Sequence, residues 1–87
     1  MSEQTGAESR LAVAAIVVEN PESVPALNDL LHQYSAHIIG RMGIPHPARG
    51  VSLISVALDA PGEEISALTG KLGRLPGVSV KTAYSRV

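Results

Sequence analysis

Ile38-Ile-Gly-Arg-Met-Gly-Ile-Pro45 mixes apolar residues of strand type with two glycines and one arginine, in the middle of a chain of 87 residues. It reads as an inner strand meeting a candidate ligand site. Glycine inside a strand leaves bare backbone and weakens the ladder unless another backbone or a ligand comes close. Arg41, set between Gly40 and Gly43, offers a planar fork of donors suited to carboxylate or phosphate. In the alternative reading, Gly43, Ile44 and Pro45 end the strand and open a turn, which is their ordinary use.

Working outward, the residues before this stretch hold a helix and a strand. Asn20 to Ser35 carries Val24, Leu27, Leu30, Leu31 and Tyr34 at the spacing of three and four that makes one apolar helix face. Ser23 is the favoured N-cap, because it leaves Pro25 among the first amides, which have no bond to lose. Arg10 to Glu19 is apolar at odd and even positions alike, so this strand should be covered on both faces. Met1 to Ser9 is polar and without apolar periodicity, and is set aside as a disordered tail, leaving residues 10–87 as a single domain.

Beyond Pro45, the turn-rich segment 46–50 reads as a mobile hairpin loop between strand 36–44 and strand Val51 to Asp59. From Glu63 the apolar residues Ile65, Leu68, Leu72 and Leu75 return at helical spacing. Acids lie in the first turn and Lys71 and Arg74 near the end, as the helix dipole favours. Gly70 and Gly73 are assigned to close packing of this helix on the sheet. Pro76-Gly77 stops the helix, and Val78 to Tyr84 alternates as a strand with one wetter face. The order strand, helix, strand, strand, helix, strand is that of the split βαβ unit. The expected fold is therefore α+β, a ferredoxin-like βαββαβ sandwich with a four-stranded antiparallel sheet and two helices on one face.

Composition narrows function. A domain this small buries only a modest share of its surface, so subunit contacts are an expected supplement to its stability. Two helices cover one sheet face, and strands apolar on both sides then call for a homo-oligomer, dimer or tetramer, through sheet faces or edges. A net charge of −1 gives no field to hold a polyanion, which argues against direct nucleic-acid binding. The chain has no cysteine, which removes disulfides, thiolate metal sites and a cysteine nucleophile, and suits a reducing cytoplasm. Its longest apolar run, Leu11 to Val18, is too short to cross a bilayer, and no signal peptide is visible.

The chemistry-bearing residues are sparse. His32, His37 and His46 form neither an i, i+4 helical pair nor an H-x-H, so no metal is expected. The serines lack a nucleophile elbow, and Gly70 with Gly73 lacks the P-loop spacing, so neither an enzyme nor a cofactor is expected. Glu63 and Glu64 are read as partners of a helix N-terminus. Arg41 remains as a charge in an apolar, glycine-flanked strand, where it needs either an anionic ligand or a structural partner such as Glu19 or Asp59.

On the stretches Ile38–Pro45, Gly50–Val56 and Ile65–Lys81, with the first strand and helix, the chain resembles the iron-only hydrogenase system regulator family, which belongs with ACT-like domains; the likeness covers residues 10–84. The resemblance implies an ACT-like fold and a regulatory role. The fold is also similar to the C-terminal domain of the nickel-responsive repressor, whose ligands are an H-x-H on the second strand and a cysteine opening the third. Arg41 to Ile44 and Val51-Ser52 supply neither, so nickel sensing does not carry over. The residues before Arg10 are too few for a DNA-reading element. ACT domains bind amino acids at subunit interfaces, and the positions matching theirs are Glu19, Asn20, Gly40 and Arg41. The resulting expectation is a non-enzymatic cytoplasmic regulator that binds a small anion, an amino acid or a protein partner, with no membrane attachment. The alternatives are a structural oligomeric adaptor without ligand and an amino-acid-binding ACT sensor.

Overall fold

The computed structural model describes residues 8–86. Strand β1 (Ser9–Val18) is followed by helix α1 (Val24–Gln33), strands β2 (Ile38–His46) and β3 (Val51–Pro61), helix α2 (Gly62–Gly73) and strand β4 (Val78–Tyr84). The strands form one antiparallel sheet in the order β2-β3-β1-β4. This is the ferredoxin-like α+β arrangement expected from the element order. The expected tail over residues 1–9 falls outside the described residues except at its end, where Ser9 already pairs with Pro61 as the first rung of β1.

Register decides which side chains meet the helices. Ala12, Ala14, Ile16 and Val18 of β1 lie opposite Leu58, Val56, Ile54 and Ser52 of β3 and opposite Tyr84, Thr82, Val80 and Val78 of β4. These residues share the helix-covered face. There the apolar stripes of α1 (Leu27, Leu31) and α2 (Ile65, Leu68, Leu72) close a core built entirely from aliphatic side chains. Each fully buried leucine in it contributes roughly 1.5–3 kcal/mol of transfer free energy. Tyr34 extends the helix contact, its hydroxyl accepting from Lys71 Nζ at 2.9 Å.

Leu11, Val13, Ala15 and Val17 point to the other side. Among the described residues nothing covers that side, and Leu11 and Val13 are exposed. The expectation that β1 is covered on both faces therefore holds for one face only among the described residues of a single copy.

Four local expectations need correction. β2 is an edge strand, not an inner one, and it runs through Gly43, Ile44 and Pro45 to His46 instead of turning at Gly43. An edge tolerates Pro45 because the missing N–H can face away from the ladder. Second, β3 continues past Asp59 to Pro61 because β1 begins early enough to pair with it. Third, Gly70 and Gly73 do not pack on the sheet: both are exposed, and an added Cβ would meet nothing within 4 Å. Fourth, the entry to α1 divides the capping work. Asn20 Oδ1 accepts from the Glu22 amide and caps a 3-10 turn over Pro21–Ser23. Ser23 stands at the N-cap position but makes no side-chain cap; its buried hydroxyl donates to the Pro76 carbonyl at 2.6 Å. The β2–β3 hairpin closes through a 3-10 turn, Pro47–Arg49, with Gly50 at φ 67°.

Candidate functional site

Arg41 lies opposite Val56, so its side chain rises on the helix-covered face of the sheet, at the outer edge where no further strand follows. It is exposed, not buried, and its charge reaches solvent beside α1. Its Nη2 donates to the carboxamide oxygen of Asn28 at 3.2 Å. Neither carboxylate considered as a partner can take that place. Asp59 pairs with Leu11 and so faces the opposite side of the sheet. Glu19 follows Val18, whose β3 partner is Ser52 rather than Val56. That places it about 16 Å away along the strands and about 10 Å across two strand spacings.

Around Arg41, the groove between α1 and β2 is lined by Asn28, Leu31, His32, Ser35 and Ile38 and encloses about 420 Å³. Helix geometry explains the α1 contribution, because Asn28, Leu31 and His32 recur at steps of three and four and form one strip, and Ser35 follows in the 3-10 turn after the helix. Leu31 and Ile38 give the groove an apolar floor. Asn28, with its oxygen engaged by Arg41, has its amide N–H groups left to donate. Ser35 adds a hydroxyl and His32 an imidazole. Guanidinium, amide and hydroxyl donors over an apolar floor make a cradle for a carboxylate or phosphate.

The four positions singled out from sequence do not converge in one chain. Gly40 adjoins Arg41, opposite Ala57, just after the bulge between Ile38 and Gly40. A Cβ at Gly40 or Gly43 would meet nothing within 4 Å, so neither glycine makes room for another part of this chain. Glu19 and Asn20 sit at the far end of β1. Glu19 lines a separate depression of about 580 Å³ with Val17, His46, Arg49 and Leu53. Asn20 is occupied structurally, by its cap and by close packing against Gly77. Asn28 and Ser35 were not singled out from sequence, and His32 was weighed there only as a metal ligand. The spacing of Asn28 and His32 on the polar flank of α1 is visible in the sequence, but which strand lies beside that flank follows only from the topology. Among the described residues no cluster of three or more His, Cys, Asp or Glu is placed to hold a metal ion, and no helix is long and apolar enough to cross a membrane.

A β2-β3-β1-β4 antiparallel sheet under two helices, with a cationic groove at its β2 edge, defines a ferredoxin-like α+β domain. The chain belongs to the TM1266-like family, whose description reads "Iron-only hydrogenase system regulator, putative" and whose sequence model matches residues 10–82. Its structure is similar to that of the uncharacterized protein TM1266 from Thermotoga maritima, at 35% identity and a TM-score of 0.87, covering 91% of this chain and 100% of that one. It also resembles the C-terminal domain of the MgtC protein from Mycobacterium tuberculosis, with a TM-score of 0.70 over 97% of this chain and 94% of that one. At 15% identity, this second likeness shows the fold alone. No curated protein matches the chain.

Proposed function

We propose that this chain is a non-enzymatic, cytoplasmic regulatory module of an iron-only hydrogenase system that works by binding a small anion in the groove between α1 and β2. The observation that carries this reading is the state of Arg41: an exposed guanidinium whose hydrogen-bond partner is the neutral oxygen of Asn28, beside further donors and an apolar floor. A guanidinium has five N–H donors, and one carboxamide oxygen leaves most of them for a ligand. Free carboxylates, amino acids through their carboxylate, and phosphates share the chemistry that this groove accepts. Family membership supports the regulatory role.

Thermal denaturation against inorganic phosphate, short carboxylates, amino acids and nucleotides tests the reading. A ligand present at a hundred times its Kd stabilises by about 2.7 kcal/mol, which for a domain of this size raises Tm by roughly 10–20 °C. In Arg41→Gln the unliganded Tm should stay within about 3 °C of the parent, as expected for an exposed substitution, while the ligand-induced rise disappears. A full rise retained in that variant would overturn the site. The second reading, an oligomeric adaptor without ligand, draws support from the uncovered apolar sheet face, and absence of any shift across these ligands would favour it.

A further inference from the structure

Of the seven exposed large hydrophobic residues among those described, six lie on the sheet face that the helices leave bare: Leu11, Val13, Ile39, Met42, Ile44 and Leu53. Four strands spaced about 4.8 Å apart over about 30 Å of length make a face of roughly 600 Å² in flat projection, and side-chain relief brings it near the ~800 Å² per partner of a stable interface. Six large apolar side chains gathered on one face make a patch toward the upper end of the ~300–600 Å² that the largest patch of a typical monomer reaches, and such patches often mark interaction sites. Away from its rim, the bare face carries two ionised groups among the described residues, Asp59 and Lys81. Glu19, His46 and Arg49 stand at one end, in the position of a polar rim.

Two charged residues are set within the bare face, and their placement is informative. Asp59 on β3 lies opposite Leu11, two residues before Val13 on β1. Lys81 on β4 lies opposite Ala15, two residues after Val13. One charge is therefore displaced to each side of β1 and to each end, evenly about Val13. A two-fold axis running in the plane of the interface over Val13, perpendicular to the line joining the two charges, exchanges their positions between copies.

We infer that the bare face is covered by a second copy of this chain, packed sheet to sheet about a two-fold axis at Val13, with Asp59 of each copy paired to Lys81 of the other. Charge complementarity favours a second copy as the occupant: a surface carrying one acid and one base matches itself about the two-fold axis midway between them, which here passes over the apolar Val13. The arrangement leaves the Arg41 groove open, because that groove lies on the helix-covered side.

Light scattering coupled to size-exclusion chromatography on the full chain gives the test. At micromolar concentration the unmodified protein should elute at twice, or four times, the chain mass of 9.0 kDa. Val13→Lys should lower that mass at least twofold, with circular dichroism unchanged because Val13 is exposed in a single copy. Should Val13→Lys fail to fold, the exposed charge pair supplies the second test. Asp59→Lys and Lys81→Asp should each weaken association at least tenfold, and the double exchange should restore it. A monomeric parent protein overturns the inference and leaves the face to a different protein or to the chain's own first residues. An assembly indifferent to Val13→Lys, or a double exchange that restores nothing, also overturns it.

Discussion

Replacing Gly77 with alanine should be the most damaging glycine-to-alanine change among the described residues, and the structure gives its size. Gly77 follows Pro76 in the turn that joins α2 to β4, with the Val78 amide donating to the Leu75 carbonyl at 3.2 Å. Its φ is 69°, in the left-handed region, where an L-residue with a side chain costs about 1–2 kcal/mol. The new Cβ would stand 2.7 Å from Asn20 Cβ and 2.9 Å from Asn20 N. One of these atoms is backbone, so the segment after β1 must move. That movement strains the bond from the Glu19 amide to the Gly77 carbonyl, 2.7 Å long, whose loss costs about 1 kcal/mol. The total is roughly 3 kcal/mol, or a fall in Tm of about 12–24 °C for a domain of this size. Urea denaturation at fixed protein concentration reads the same quantity as a lowered midpoint with unchanged slope. Gly43→Ala is the control, since its added methyl meets nothing within 4 Å and its φ is not positive. If Gly77→Ala melts within about 3 °C of the parent, the close approach of the two segments is wrong.

Gly70→Ala should act in the opposite direction. It lies inside α2, exposed and with open space for a methyl, so helix propensity and a less flexible unfolded chain should raise stability by roughly 0.5–1 kcal/mol, measured by thermal melting. Ser23→Ala should destabilise by about 1–2 kcal/mol in urea titrations because the part-buried hydrogen bond to the Pro76 carbonyl is lost. Leu72→Ala, at a residue with no exposed surface where α2 meets the sheet, should cost about 2–5 kcal/mol, and a loss below 1 kcal/mol would contradict the core described here.

The element order was legible because each signal was local and redundant. Leu27 and Leu31, or Ile65, Leu68 and Leu72, announce a helix by spacing alone, and the structure buries those residues. Strand ends were less legible, since pairing decides them. Pro45 and Pro61 look like breakers in isolation, yet both are held in rungs, opposite Ser52 and Ser9. Position in the sheet was not legible at all: the apolar run around Arg41 suggested an inner strand, whereas the order puts it at the edge. That same order separates Arg41 from Glu19 and supplies Asn28 instead, a contact 13 residues away in sequence that no motif marks. The bare apolar face, by contrast, was visible in the odd positions of β1, whose residues are as apolar as the even ones.

Binding at the Arg41 groove is tested most directly by following backbone amide resonances of the full chain during titration with inorganic phosphate and, in parallel, with short dicarboxylates. Saturable shifts should gather on Asn28, His32, Ser35, Gly40 and Arg41 and vanish in Arg41→Gln. Shifts confined to Glu19, His46 and Arg49, or a titration in which no residue saturates, would contradict an anion site between α1 and β2.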